Sequence, residues 1–285
     1  MKRPLALAAL LLIGVAMHGQ SALLISELLY QPHSGEAEYV ELYNNGDTAI
    51  VLSDYHIVRW LNGEPTTHYP LPDHTLQPHA YVALSKDPAS VAAIYGHTPL
   101  QCNLPTYPNS GGTVLLTLAD STEADRLDYS PSMHSPLLRN KAGVALERRS
   151  FDRPTNEPSN WFSASSLCGY GTPGYANSQS TEVLAEESGF TLSGTIVSPD
   201  GDGYQDMLQV DYTLERGDLM ADAAVYDATG HRVAQLLRSA LLGTNGSFQW
   251  QPDAALPQGR YIVAVALYDI HGTRQTIRRT VALLR

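Results

Sequence analysis

The chain has 285 residues, room for about two domains at roughly 150 residues each. Its 16% charged and 43% hydrophobic residues make it a globular protein and exclude a disordered one. Eighteen Lys and Arg, only three of them Lys, stand against 29 Asp and Glu, for a net charge of -11. With no basic run, this composition argues against nucleic-acid binding and against docking on anionic lipid.

Lys2 and Arg3 precede a 13-residue apolar run, Leu5 to Met17, followed by the polar stretch His18-Gly19-Gln20-Ser21-Ala22. That order predicts a signal peptide over residues 1–22. The run is too short to span a bilayer comfortably, and no later run is longer, so no transmembrane segment is expected. Export would permit one disulfide, Cys102 to Cys168. Its loop of 65 intervening residues would contribute ~4 kcal/mol in the chain-entropy account. Two separately buried thiols are the alternative.

Short apolar runs follow, parted by Gly, Pro, Asn and Asp: Leu23–Ile25, Tyr39–Tyr43, Ile50–Leu52, His56–Trp60, Ala80–Leu84, Val114–Leu118 and Val144–Leu146. They predict the strands of a sandwich or barrel. One helix is expected at 87–96, with Asp87 as its cap, Pro88 at its first position and Gly96 at its end. Residues 179–195 read as an acidic linker. Beyond them Leu208, Val210, Tyr212 and Leu214 alternate with polar residues, which predicts a half-buried strand. Phe248 and Trp250 share one face of another strand, Tyr261–Tyr268 reads as a central strand, and Ile277, Val281 and Leu283 mark the last. Tyr226-Asp227-Ala228-Thr229-Gly230 and Tyr268-Asp269-Ile270-His271-Gly272 are twin turn signals. The fold class predicted is all-β: two immunoglobulin-like sandwiches in tandem, at 23–178 and 196–285. Acidity concentrates in the first, which is net -8, against -2 for residues 200–285.

Catalytic signatures are absent, and no catalytic residue is assigned. His68, His74 and His79 lie close in sequence but flank a Pro-containing turn, and are expected at the surface. Glu36, Glu38 and Glu41 bracket a strand start; Glu41 is expected at a surface or bound to backbone donors. Asn245-Gly246-Ser247 matches a glycosylation acceptor and is given no weight. The strongest chemical pattern is Ser198-Pro199-Asp200-Gly201-Asp202-Gly203-Tyr204-Gln205-Asp206. Hard cations take six to eight oxygens, and an Asp-rich tight turn supplies several. Asp200, Asp202 and Asp206, with the Tyr204 carbonyl, are the expected ligands of a Ca²⁺ loop; a turn in which the Asp residues cap their own backbone is the alternative.

Leu24-Ile25-Ser26-Glu27, then Glu38-Tyr39-Val40-Glu41-Leu42-Tyr43-Asn44, and at the far end Val144-Ala145-Leu146-Glu147-Arg148, Asn160-Trp161-Phe162 and Gly171-Thr172-Pro173-Gly174-Tyr175-Ala176-Asn177, resemble the opening and close of a lamin-tail domain over residues 23–178. The resemblance implies an immunoglobulin-like sandwich and no shared catalytic residue. Asn44 would close a turn, and Thr172-Pro173-Gly174 would stitch the end of the domain to its sheet. The second domain resembles C-terminal Ig-like modules of exported bacterial proteins, hook-capping (FlgD-type) and type IX sorting domains among them. It does so through Ser198–Gly203, Val225–Val233, Phe248-Gln249-Trp250 and Pro257–Tyr261.

Together these readings predict an exported, non-enzymatic binding or structural protein of the bacterial surface or medium. Its partner would be a surface protein or a glycan. One alternative makes the lamin-tail domain a cargo and the second domain its sorting signal. Another, a metal-dependent hydrolase or nuclease, has no residues left over for a catalytic domain.

Overall fold

The computed structural model describes residues 21–181 and 189–285. The expected signal peptide and the middle of the expected linker lie outside them. The first module contains β1 (Leu23–Leu29), β2 (Tyr39–Asn44), β3 (Ile50–Val51), β4 (Tyr55–Leu61), β5 (Glu64–Pro70), β6 (Thr75–Leu76), β7 (Tyr81–Ser85), α1 (Pro88–Tyr95), β8 (Leu100–Gln101), β9 (Gly112–Leu118), β10 (Glu123–Tyr129), β11 (Leu146–Arg148) and β12 (Trp161–Ser163). The second contains β13 (Gly189–Leu192), β14 (Ile196–Val197), β15 (Leu208–Thr213), β16 (Met220–Tyr226), β17 (Arg232–Leu241), β18 (Asn245–Trp250), β19 (Gly259–Tyr268) and β20 (Arg274–Leu283). The fold is all-β, as expected, and α1 is the one α-helix among the described residues. Asp87 accepts the Ser90 N–H at its start, and Gly96 ends it at φ 72°. Strand β13 falls inside the stretch expected to be linker, where Phe190 packs in the second core beside Tyr212.

In the first module a six-stranded sheet, β12-β11-β1-β2-β7-β8, faces a four-stranded one, β10-β9-β4-β5. Between them lies a core that includes Leu23, Ile25, Leu28, Val40, Leu42, Ile57, Val114, Leu116 and Trp161. The outer face of the six-stranded sheet is also covered. Val91 and Tyr95 of α1 pack there with Leu29 and Tyr39, and the strap of residues 164–180 crosses it. This double cover explains why every residue of β1 and β2 is buried. In the second module β13-β15-β18 faces β14-β20-β19-β16-β17. There β15 alternates buried and half-buried as its sequence predicts, and β19 sits between β16 and β20. Both Asp turns form: Asp227 and Asp269 accept backbone N–H groups, and Gly230 and Gly272 take positive φ.

The modules meet along a hydrogen-bonded seam. Ser165 and Ser166 donate to the Leu241 carbonyl, Gln179 to that of Leu242, and Thr244 to those of Ser178 and Ser180. Leu167, on the strap, packs against the second core. The approach is close enough that a Cβ on Gly243 would lie 2.2 Å from the Ser178 carbonyl oxygen. Only glycine lets the two backbones come that near.

Candidate functional site

The Asp200–Asp206 loop gathers its carboxylates as the sequence predicts. One oxygen from each of Asp200, Asp202 and Asp206 lies within 4.8 Å of the others. The same carboxylates also shape the turn. Asp200 accepts from Asp202 N, Asp202 from Tyr204 N, and Asp206 from both Gly201 N and Gly203 N. Gly201, Gly203 and Gln205 take positive φ, which curls the chain around Asp206. Asp200 and Asp202 are exposed, and Tyr204 is 70% exposed. The backbone-capping alternative therefore describes bonds that are present, and it leaves unused oxygens on carboxylates held in one cluster. That donor set is hard and anionic, the kind Ca²⁺ takes.

Sequence spacing does not single out a second cluster, which the fold assembles. Glu27, Glu41 and Glu147 stand side by side across three adjacent strands, because Glu27 is register partner to both of the others. All three are fully buried. Glu27 reaches this face through a bulge. The register of β1 slips between Ile25 and Glu27. Leu23 and Ile25 before it, and Leu28 and Tyr30 after it, all face the core. In an unbroken strand Glu27 would share the core face with Leu23 and Ile25. Of the two places expected for Glu41, a surface or a bond to backbone donors, the structure shows the second, since it accepts the Gly174 N–H away from solvent. Glu41 is buried under the strap, because α1 and residues 170–180 cover the face that strand alternation alone would leave open.

The strap supplies most of the donors. Thr172 N and the Tyr39 hydroxyl donate to Glu27, Gly174 N to Glu41, and Ser178 Oγ and Gln179 N to Glu147. The Thr172 hydroxyl lies 3.2 Å from Glu27 and 2.9 Å from Glu147. It has one proton, so it can donate to only one of the two carboxyl groups at a time. Burial first, and the neighbouring Glu147 second, push Glu27 up to about 8. Burial likewise raises Glu41 and Glu147, and one oxygen of Glu41 has no partner. Asn177 completes the strap, donating to the carbonyls of Ser26 and Arg148.

Residues 16–131 match the Lamin Tail Domain family model. Glu27 and Glu41 lie within the matched stretch, while Glu147, Thr172 and the rest of the strap lie beyond it. Asn44, also in that stretch, closes its turn as expected, donating to three carbonyls and accepting Gly46 N. No curated protein matches the chain. Similar solved structures include the periplasmic chaperone SfaE, at 13% identity and TM-score 0.26, covering 33% of this chain and 56% of that one. A tetra-tandem repeat in the extending region of a large adhesion protein aligns at 10% identity and TM-score 0.25, covering 93% of this chain and 49% of that one. The chain thus spans less than two thirds of either structure.

The remaining sequence candidates do not converge. Cys102 and Cys168 are separate free thiols. Cys102 turns to the Asn103 carbonyl and Cys168 to that of Ser165. Burial pushes them up to about 11 and about 12, so neither is a thiolate at neutral pH. His79 is exposed at a turn of positive φ and pairs with Asp47 at 3.1 Å. His68 meets the ring of His56 edge-on, and His74 is half-buried near the start of β6. Glu36 accepts the His33 N–H and Glu38 the Tyr107 N–H, so both hold loops.

Proposed function

We propose that the chain is an exported, non-enzymatic binding or structural protein of the bacterial surface, its two sandwiches acting as one joined unit. The observation that carries this reading is the use made of the buried carboxylates. Glu27, Glu41 and Glu147, the set best suited to acid–base work, are spent on holding the strap, and the strap holds the second module. That seam supports a retained second module over a removable sorting signal. Intact-mass measurement on protein recovered from the cell surface and medium tests it. The expected chain begins near residue 20–23 and keeps residues 189–285. A species ending before residue 200 would make the second module a sorting signal instead. DNA or phosphoester cleavage by the purified protein, lost on changing one acidic residue, would make it an enzyme.

The aspartate turn is proposed to hold Ca²⁺ as a structural brace. A cation that binds only the folded state stabilises it by about 2.7 kcal/mol at 100-fold excess over its dissociation constant. For a module of this size that corresponds to a melting shift on the order of 10 °C. Chelation is expected to lower the melting temperature by that much, and Asp202→Ala to abolish the response. A melting temperature indifferent to chelator would leave the loop a self-capped turn.

A further inference from the structure

The outer face of the second module carries a trough that none of these roles uses. In the order β17-β16-β19-β20 the register sets Ala224 opposite Ala264, and Ala264 opposite Arg278. The next row holds Asp222, Ala266 and Thr276. Alanines on the two central strands make a low floor. Arginines on the outer strands make its walls, Arg232 and Arg238 on β17, Arg274 and Arg278 on β20. Tyr226 stands at one end of it, and Tyr268 lies just beyond the other in the row of Arg274; both are half-buried. Their rows are six residues apart along β19, or about 20 Å. The trough encloses about 780 Å³.

Its charge is unbalanced. All four arginines are exposed. Arg232 donates to Gln235, and Arg238, Arg274 and Arg278 make no ion pair with any described residue. Half of the eight cations of residues 200–285 therefore line one face of a chain that is acidic elsewhere. The trough does not end at β17. Arg238 and Tyr268 also line a cleft of about 720 Å³ that opens onto Arg139 and His33 of the first module.

We propose that this trough binds a linear acidic polysaccharide of the uronic-acid class, which runs from the sheet face into the cleft between the modules. The chemistry selects that class. Guanidinium forks suit carboxylates, which they bind with two parallel hydrogen bonds. Asp222 sits among them with one oxygen committed to Ser239 N and the other available to a hydroxyl donor. A uronate chain offers both groups, carboxylates and hydroxyls. A DNA strand has no hydroxyls along its backbone to donate to Asp222. A run of acidic residues such as polyglutamate has no hydroxyls for Asp222 and no rings to lie on the two tyrosines. The alanine floor also offers no pockets that would tell side chains apart.

The inference rests on the exported-binding reading for where such a polymer would be met, and its test is independent of export. Calorimetric titration of the full chain with hexagalacturonate is compared with maltohexaose, hexaglutamate and hexathymidylate. Hexagalacturonate is expected to bind, more weakly as salt rises. Arg274→Gln/Arg278→Gln should weaken it by about ten-fold or more, the loss of about 1.4 kcal/mol or more, at an unchanged melting temperature. Arg139→Gln, on the other module, should weaken it as well. No binding of hexagalacturonate, equal binding by the double variant, or equal or tighter binding of the peptide or the oligonucleotide would each overturn the proposal. A chain found inside the cell would overturn the export reading and leave this titration standing.

Discussion

Replacing Arg148 by Met is expected to lower the stability of the first module by about 3–5 kcal/mol, the usual cost of leaving one member of a buried ion pair behind. Arg148 is fully buried at the end of β11, and its guanidinium lies 3.5 Å from Asp125 of β10. It also donates to the carbonyls of Ile25, Ser150 and Arg153. One side chain thus ties both sheets to the loop after β11. Asp125 in turn accepts Ile25 N and the Thr155 hydroxyl. Burial pushes the Asp125 carboxyl up even with Arg148 beside it, so desolvation outweighs the attraction of the pair. The pair is therefore a poor source of net stability but very costly to break. Adding Asp125→Asn to Arg148→Met should recover part of the loss, because it removes the stranded charge. Guanidinium unfolding followed by tryptophan fluorescence reads both the single and the double variant. A loss below about 1 kcal/mol for Arg148→Met would show that the guanidinium is not needed to hold the two sheets together.

The elements legible in the sequence are those with a polar face. β15 alternates, and its buried positions, Leu208, Val210 and Tyr212, are those its pattern predicts. The Asp-Gly turns and α1 carry their own capping chemistry and are equally plain. β5 is hidden by Pro65 and Pro70, residues tolerated because it is an edge strand. β10 is hidden by Glu123, Asp125, Arg126 and Asp128, whose charges conceal that only Asp125, Leu127 and Tyr129 turn inward. β1 reads as ending at Ile25, because a serine and a glutamate in an apolar run look like a boundary. Only the bulge and the strap, 145 residues away, make Glu27 an interior position.

The candidate sites divide in the same way. The aspartate turn is local, so its spacing announces it. The glutamate row depends on cross-strand register, and a lone Glu within Leu-Leu-Ile-Ser-Glu-Leu-Leu and within Val-Ala-Leu-Glu-Arg is the one available sign. The trough is half legible. Arg274, Thr276, Arg278 and Thr280 alternate along β20, but the opposite wall comes from β17 and the floor from two further strands.

Raising the pH from 6.5 to 8.5 is expected to destabilise the first module, opposite to the usual behaviour of a protein rich in salt-bridged carboxylates. Glu27 is held at about 8 in the folded state, against 4.5 for the free group. A raised carboxyl contributes stability that is complete below the unfolded value and is lost as pH climbs through the folded one. Across that interval the loss from Glu27 amounts to about 2 kcal/mol. Glu41 and Glu147, raised by the same burial, act in the same direction. His134 opposes them. Burial lowers it to about 4, so it favours the folded state as pH rises, but most of that gain is complete by pH 6.5. It offsets roughly half a kcal/mol above that point. The exposed carboxylates that lie below their usual range, Asp120 and Glu157, finish titrating well before the interval begins. The melting temperature of the first module should therefore fall by about 4–8 °C from pH 6.5 to 8.5. Glu27→Gln should flatten that slope, because the amide keeps an acceptor for Thr172 N and has no proton to lose. A slope that is flat or rising in the unaltered protein would mean that the three carboxylates are ionised together beneath the strap, with the strap's donors alone compensating three adjacent buried charges.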